Sequence, residues 1–360
     1  MDKLLKTMDE GLVQALQMIA PGTLLRQAID NIVRARTGAL LVFADEEQIR
    51  PLISGGIDIH VALKPMILYE LAKMDGAILL NRTGSHIFHA NVQLMPDASI
   101  ESQETGTRHR TAERVAKQLG VLAISISAAR DVVTVYVGGV RYIMDPIRVI
   151  LSKADQALQT LERFKSRLNQ VIMVLSVLEF HEAVSLFDVT SVIQRSEMVL
   201  ALSHLIERFI TELGTEGRLV QLQLREMLIN VREDRDAVLR DYVVDPTPER
   251  IDAAREQLIS MPSEQLISMG SIGAILGYSP EESTLEMHVV PRGYRMLRKI
   301  PRLGQEAIAA VMAQYPTLRQ IVDAPASDLA TIDGIGDDRA RDIVEGLSRL
   351  REMDVMERYG

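Results

Sequence analysis

The sequence predicts a multidomain chain of α/β plus all-α class. An N-terminal mixed-sheet α/β domain (1–146) precedes a central helical spine (147–286) and a C-terminal pair of tandem helix–hairpin–helix units (287–360). Three observations carry this. Up to about residue 146, short apolar or β-branched runs alternate with helical patterns and are punctuated by Gly, Asp and Asn. From Ile147 to about Leu239 the apolar period is helical almost throughout. Near the C-terminus, Thr331-Ile-Asp-Gly-Ile-Gly-Asp-Asp-Arg-Ala340 places two glycines between apolar residues just ahead of an amphipathic run. At 360 residues the chain also exceeds one typical core.

Residues 1–35 carry Leu4, Leu5, Met8, Leu12, Leu16 and Ile19 at helical spacing. Pro21-Gly22 breaks the pattern, and a second helix over about 23–36 ends before Gly38. Strands are expected at 39–43, 57–63, 77–80, 87–94, 122–127 and 132–137, with helices at 65–74 and 110–119 between them. In the spine, Leu151, Leu158, Leu161, Phe164, Leu168, Ile172 and Leu175 share one helical face, which reads as core packing of long helices. Glu-Gln-Leu-Ile-Ser-Met occurs at 256–261 and again at 264–269, too few copies for a solenoid.

The chain contains no cysteine, which excludes a disulfide framework and thiolate metal sites. The N-terminus lacks a basic segment followed by a long apolar stretch, and runs such as Val171 to Leu178 are too short to span a bilayer. A cytoplasmic location, with no membrane partner, is the expectation. Net charge is −9, yet residues 287–360 hold 11 basic and 11 acidic side chains, so the excess lies in the preceding part. Within that neutral segment Arg292, Arg295, Arg298, Lys299 and Arg302 form a basic cluster without an intervening acid. Any nucleic-acid contact is therefore expected to be local.

In the second hairpin, Gly334 and Gly336 permit a tight turn and close approach of a ligand. The amides that follow them are expected to point outward at a helix start, where unpaired N–H groups suit a phosphate. A nucleic-acid backbone, bound without reading bases, is the matching ligand; an ordinary tight αα turn is the plainer alternative. Leu329, Ile332, Ile335, Ala340 and Ile343 fall at the apolar positions the hairpin needs. The first hairpin, Ile300 to Ile308, keeps Gly304 but has Pro301 and Arg302 where the second has Asp333 and Gly334. Arg302, Gly304, Gly334, Ile335, Gly336 and Arg339 are the expected DNA contacts. Asp337 and Asp338 weaken that attraction unless they cap the helix.

Two motifs in the α/β region carry chemistry. Asp75-Gly76-Ala77 precedes a strand, and Gly106-Thr-Arg-His-Arg-Thr-Ala-Glu113 opens a helix. Cationic side chains and hydroxyls at a helix start suit a triphosphate, with Thr107 as a possible cap, Glu113 supporting the first turns, and Arg108 and Arg110 as fixed charge. Singly, the first motif reads as a common turn and the second equally well as a solvated basic helix start.

Together with Gly38 to Phe43, Ser125-Ile126-Ser127 and Arg130, these motifs resemble the diadenylate cyclase domain. The helical middle and the tandem hairpins extend the resemblance over the full length, to the bacterial DNA-binding diadenylate cyclase family. The resemblance implies condensation of two ATP into cyclic di-AMP, with two pyrophosphates released. It implies a homo-octamer with catalytic domains paired face to face, and branched or recombination DNA held by the hairpins and inhibiting synthesis at a DNA-integrity checkpoint. A Mg²⁺ or Mn²⁺ ion bridging phosphates and a carboxylate is part of it. Asp75 is then the catalytic carboxylate and metal ligand. Arg108, His109 and Arg110 are catalytic and bind phosphates, with His109 at phosphate or metal. Gly76 lets the chain run close to ATP, Thr107 and Thr111 donate hydroxyl hydrogen bonds, the Leu94 backbone reads adenine, and Ser127 and Arg130 border the phosphates. Two other readings stay open: a non-enzymatic nucleotide-sensing DNA-binding scaffold, and a DNA-repair accessory enzyme. The first has no need for Asp75 beside the basic triplet; the second lacks a paired acidic metal cluster or an adenylation lysine.

Overall fold

A computed structural model describes residues 10–128, 131–262 and 265–357, with the side chains of Ile267, Glu282 and 353–357 left aside. Leu4, Leu5, Met8 and Arg130 fall outside the described residues. Two compact units are present. One holds the residues up to Gln156 together with Ile206–Leu222; the other holds Ala157–Leu205 and the residues from Gln223 onward.

The first unit opens with helices α1 (Glu10–Met18) and α2 (Leu24–Arg34). Thr23 caps α2 by accepting the Arg26 amide proton. Then follow β1 (Ala39–Phe43), α3 (Glu46–Ile49), β2 (Ile53–Ser54), β3 (Ile57–Ala62), α4 (Pro65–Leu71), β4 (Ala77–Leu80), β5 (His86–Leu94), α5 (Thr107–Leu119), β6 (Leu122–Ile126), β7 (Val133–Val137) and β8 (Val140–Ile143). The six expected strands form at their predicted places; β2 and β8 are additional. β2 is only two residues long, and β8 adds a hairpin through Gly138-Gly139, so neither leaves an extended apolar run in the sequence.

The strands make one mixed sheet in the order β2-β5-β4-β1-β6-β7-β8, with β3 also on β5. β1 and β4 are parallel and the other pairs antiparallel. Both faces are covered, which is why 39–43 reads as a continuous apolar run rather than an alternation. Leu41, Phe43, Ile78 and Leu80 pack with α1, α2 and α4 on one face. Leu40, Val42, Leu79 and Tyr136 pack with Ala112, Val115 and Ala116 of α5 on the other.

Beyond the sheet the chain is helical, as its periodicity predicts: α6 (Ile147–Phe180), α7 (Leu186–Leu213), α8 (Arg218–Met227), α9 (Val231–Tyr242), α10 (Pro248–Ser260) and α11 (Met269–Leu276). The two copies of the six-residue repeat are not structurally equivalent, since the first lies in α10 and the second contains a short 3-10 turn at Gln265–Ile267.

The C-terminal part contains α12 (Tyr294–Arg298), α13 (Gln305–Gln314), α14 (Leu318–Asp323), α15 (Ala326–Leu329) and α16 (Asp337–Glu357). The turns before α13 and α16 have the same design. The Ile300 carbonyl accepts from the Leu303 amide at 3.4 Å, and Ile332 from Ile335 at 2.9 Å. Gly304 accepts from Ile308 and Gly336 from Ala340, each at 3.0 Å. Arg302 and Gly334, at equivalent positions, both have left-handed backbone, with φ of 66° and 81°. Ile300, Ile308, Ile332, Ile335, Ala340 and Ile343 share one core. Among the described residues no helix is long and apolar enough to cross a membrane.

Candidate functional site

Strand register gathers the separated motifs at one end of the sheet. β1 pairs with β4 as Leu40↔Ala77. Gly38 directly precedes β1, and Asp75 precedes β4 across the left-handed Gly76, so both stand at the same end of this parallel pair. β1 pairs with β6 as Ala39↔Ile126, so Gly38 lies beside Ser127. β4 pairs with β5 as Ala77↔Val92, so the turn carrying Asp75 and the C-terminal end of β5 at Leu94 lie at the same end of the sheet. Leu94, Asp75, Gly38 and Ser127 therefore mark a row of four neighbouring strand ends. Three strand spacings give it a width of roughly 14 Å.

Within this row the Leu94 side chain is buried, and its backbone matters more. The Met95 amide donates to the Leu52 carbonyl at 2.9 Å. Hydrogen-bonded and non-bonded pairs alternate along an antiparallel ladder, so Leu94, opposite Ile53, turns its own N–H and C=O away from β2 and toward the end of β4. Asp75 is exposed, and its carboxylate makes no hydrogen bond or ion pair with a described residue. Gly76 has φ +102°, and a Cβ there would meet the Asn91–Val92 backbone at 2.8–2.9 Å. β5 bulges at this point, with Asn91 itself left-handed. The glycine after Asp75 is thus required by its own sheet, a reason the sequence alone does not suggest.

Helix α5 brings the basic triplet to the same end. Gly106, not Thr107, is its N-cap, with no side-chain cap hydrogen bond; Thr107 is already the first helical residue. The helix therefore starts three residues before the expected 110, and Thr107 does not cap it. The Thr111 hydroxyl donates to the Thr107 carbonyl at 3.0 Å, inside the helix. Arg108 is half-buried and lies across Gly38, where a Cβ would stand 2.0 Å from its Nη1. Gly38 is therefore the groove that admits the guanidinium, a role sequence reasoning missed. Arg110 is exposed and folds back, Nε donating to the Glu104 carbonyl at 3.3 Å.

The loop before α5 is pinned by the helix itself. Glu113 accepts from Ser102 Oγ at 2.5 Å and the Gln103 amide at 3.2 Å, and pairs with Lys117 at 2.8 Å. Burial alone would raise the Glu113 pKa; the hydrogen bonds from Lys117 and Ser102 outweigh it and hold the carboxyl below its ordinary range. Arg114 donates to the Ile100 and Ala98 carbonyls at 2.8 and 3.0 Å. Glu113 thus secures a twelve-residue-scale loop as well as a helix turn.

His109 is half-buried, and its Nδ1 lies 3.1 Å from the Tyr136 hydroxyl. Tyr136 donates in turn to Glu104 Oε1 at 2.8 Å, and Arg141 pairs with the same carboxylate. Burial first, then Glu104, push the Tyr136 pKa up. Among the described residues no group of three or more His, Asp or Glu side chains is arranged to hold a metal ion. Asp75 nevertheless offers hard oxygen to solvent. That fits a divalent ion carried by substrate phosphates, which needs only one or two protein carboxylates.

In the C-terminal part the expected basic cluster is largely internal. Arg295 is 3 % exposed and binds Glu179 and Ser176, with Nη2 2.6 Å from Glu179 Oε2. Arg292 donates to the Asp241 carbonyl at 2.7 Å, Arg298 lies 3.5 Å from Asp234, and Lys299 donates to Ser176 at 3.1 Å. Acids distant in sequence neutralise what looked like a free patch. Arg302 is exposed. Gly304, Gly334 and Gly336 have nothing within 4 Å of a Cβ position, so both turns are open. Ile335, by contrast, is buried and its amide donates to the Ile332 carbonyl, so the N–H after Gly334 is turned into the hairpin and not outward as expected. Arg339 donates to the Gly334 carbonyl at 2.7 Å and steadies the turn.

A sheet whose strand ends gather a carboxylate and a helix N-terminus with a basic triplet is a nucleotide-binding domain. The comparisons agree. Residues 26–141 match the "DisA bacterial checkpoint controller nucleotide-binding" family, and residues 144–285 match the "DisA bacterial checkpoint controller linker region". The chain is similar to the DNA integrity scanning protein DisA of Acetivibrio thermocellus, at 45% identity over 96% of this chain and 95% of that one. It is likewise 45% identical to the proteins of the same name from Symbiobacterium thermophilum and Bacillus cereus, each match covering 97% of this chain and 98% of the relative. The chain belongs to the DNA integrity scanning protein DisA family. Its α/β domain is accordingly of the diadenylate cyclase class.

Proposed function

We propose that this chain condenses two ATP molecules into cyclic di-AMP with release of two pyrophosphates. The observation that carries the proposal is the row Leu94–Asp75–Gly38–Ser127 with Arg108 lying across it. Adenine is read at the Leu94 end by backbone N–H and C=O. Asp75, in the middle, helps activate a ribose 3′-hydroxyl. Arg108, His109, Arg110, Thr107 and Thr111, with Ser127 and Arg130, hold the phosphates. Arg110 must swing off the Glu104 carbonyl to do so, breaking one exposed hydrogen bond. Gly76 contributes by keeping the Asp75 turn against β5.

A Mg²⁺ or Mn²⁺ ion bound by Asp75, His109 and the phosphates would neutralise charge at the reacting phosphorus. The protein's part is positioning. A single domain holds one ATP, whereas the product contains two equivalent bonds, so two domains must face each other across a two-fold axis. Exposed Met66 and Met74, on α4 and in the turn just before Asp75, supply apolar surface for that pairing. We assign residues 1–146 to the catalytic domain, 147–286 to the helical spine and 287–360 to a tandem helix–hairpin–helix domain. The assembly is a cytoplasmic homo-octamer. Its hairpins grip branched or recombination DNA through the open turns at Gly304, Gly334 and Gly336 and through Arg302. DNA held there inhibits synthesis by shifting paired sites out of register, since small misplacements cost large rate factors.

Mass analysis of products after incubation with ATP and Mg²⁺ tests the reaction. Cyclic di-AMP is expected, and Asp75→Asn should lower its formation by about 10²–10⁴-fold. Absence of cyclic di-AMP from the unaltered protein, or an Asp75→Asn variant at full activity, overturns the proposal.

A further inference from the structure

Behind His109 lies a line of polar groups that neither strand nor helix formation requires. Tyr136 is 1 % exposed on β7, in the core under α5. Its hydroxyl lies 3.1 Å from His109 Nδ1 and 2.8 Å from Glu104 Oε1. Arg141, on β8, pairs with that same Glu104 oxygen. The His109 and Tyr136 rings stand edge to face, with centroids 6.5 Å apart.

Proton counting gives the line a direction. A phenol has one proton to donate. A carboxylate in an ion pair with arginine only accepts, so the Tyr136 proton goes to Glu104. The Tyr136 oxygen can then only accept from His109. Nδ1 must therefore carry a proton, and in the neutral ring Nε2 carries the lone pair. We infer that Tyr136, Glu104 and Arg141 are positioning residues that lock His109 in its Nδ1–H tautomer, making Nε2 an acceptor. The proposal rests on the reading of His109 as part of the nucleotide site. Nε2 would then be the ring atom able to hold a divalent cation, rather than one giving a hydrogen bond to phosphate. An outer partner that fixes a histidine's tautomer and ring orientation commonly changes metal affinity or activity by about 10–100-fold when removed.

The tautomer is readable without substrate or metal. The full-length protein labelled with ¹⁵N-histidine, its His109 signals assigned by loss in a His109→Gln variant, should give Nδ1 as the protonated and Nε2 as the unprotonated nitrogen. Tyr136→Phe keeps the buried ring and removes only the hydroxyl; the His109 signals should then report a mixture of tautomers. Glu104→Gln introduces a carboxamide that can donate to the phenol oxygen, freeing the phenol to donate to Nδ1; the ring should swing toward Nε2–H. In both variants the Mn²⁺ concentration for half-maximal cyclic di-AMP synthesis should rise about 10–100-fold. Conversion of circular dichroism to a denatured spectrum at an unaltered temperature confirms that each variant is folded. An Nε2–H ring in the unaltered protein, or an unchanged tautomer in folded Tyr136→Phe and Glu104→Gln, overturns the inference. If the tautomer shifts as expected but the unaltered protein makes no cyclic di-AMP, the assigned reaction fails and the positioning line stands.

Discussion

Two stretches of this chain look alike as strings and behave oppositely as structure. Arg108-His109-Arg110 and the series Arg292, Arg295, Arg298, Lys299, Arg302 are both dense in cations. Arg108 and Arg110 form no ion pair with a described residue, and their near neighbours are a glycine and a backbone carbonyl. In the second series Arg295 is sealed against Glu179, Arg298 faces Asp234, and Arg292 holds the backbone of α9. A cation serves a ligand only where the fold has left its charge unspent. In the C-terminal series Arg302 is the exposed member without such a partner among the described residues, and our proposal gives the DNA-contacting role to it and to the open glycine turns.

The sharpest way to break this contrast is to remove one arginine from each stretch. Arg295→Ala leaves the Glu179 carboxylate, 2 % exposed, without its charged partner. It should lose about 3–5 kcal/mol of stability in denaturant titrations. Arg108→Ala leaves no buried acid behind and should stay within about 1 kcal/mol of the parent. Equal losses for the two would refute the distinction.

Next in size is Gly76→Ala. Its added methyl would enter the Asn91–Val92 backbone at a left-handed φ, and a loss of about 2 kcal/mol or more is expected. Gly334→Ala shares the positive φ but meets open space, so it should lose only about 1 kcal/mol. Thermal unfolding of the two variants measures the difference. Equal shifts would mean that backbone strain alone, and not the β5 bulge, explains the glycine after Asp75.

Smaller still is Arg302→Gly, which makes the first turn like the second. Relief of left-handed strain should stabilise the C-terminal part by up to about 1 kcal/mol. One lost phosphate contact should lower the salt-dependence slope of DNA binding by about 1. A variant that is more stable yet binds DNA with the same salt slope would remove Arg302 from the interface.

Much of this was legible in the sequence, and the limits follow from distance along the chain. The six strands and the helical tract are local patterns, and the row Leu94–Asp75–Gly38–Ser127 follows once neighbouring strands are known. What was hidden lies between residues far apart in sequence. Arg295 and Glu179 are separated by 116 positions and Tyr136 and Glu104 by 32, so the first turned an apparent surface cation inward and the second left no local signature. The Gly38–Arg108 contact was equally invisible, although a glycine ahead of a strand already breaks its apolar run. At Ile335 the turn's own hydrogen bond consumed the amide that a helix-start argument had left free.

The mildest effect expected concerns Glu113, and it sharpens the contrast from the side of the acids. Glu113 is 7 % exposed, and its depressed pKa reflects Lys117 and Ser102 overcoming burial. A carboxyl with a folded-state pKa below its unfolded value of 4.5 contributes stability above that value and loses it as pH falls through the depressed one. Glu113→Gln should therefore flatten the acid limb of the stability profile below about pH 4.5 and change its shape little near neutrality. It should also free the loop held at Ser102 and Gln103, raising amide hydrogen exchange at those residues. An acid limb identical to the parent's would mean that Glu113 keeps the same proton affinity folded and unfolded. The loop would then owe its position to Arg114, which donates to the Ile100 and Ala98 carbonyls.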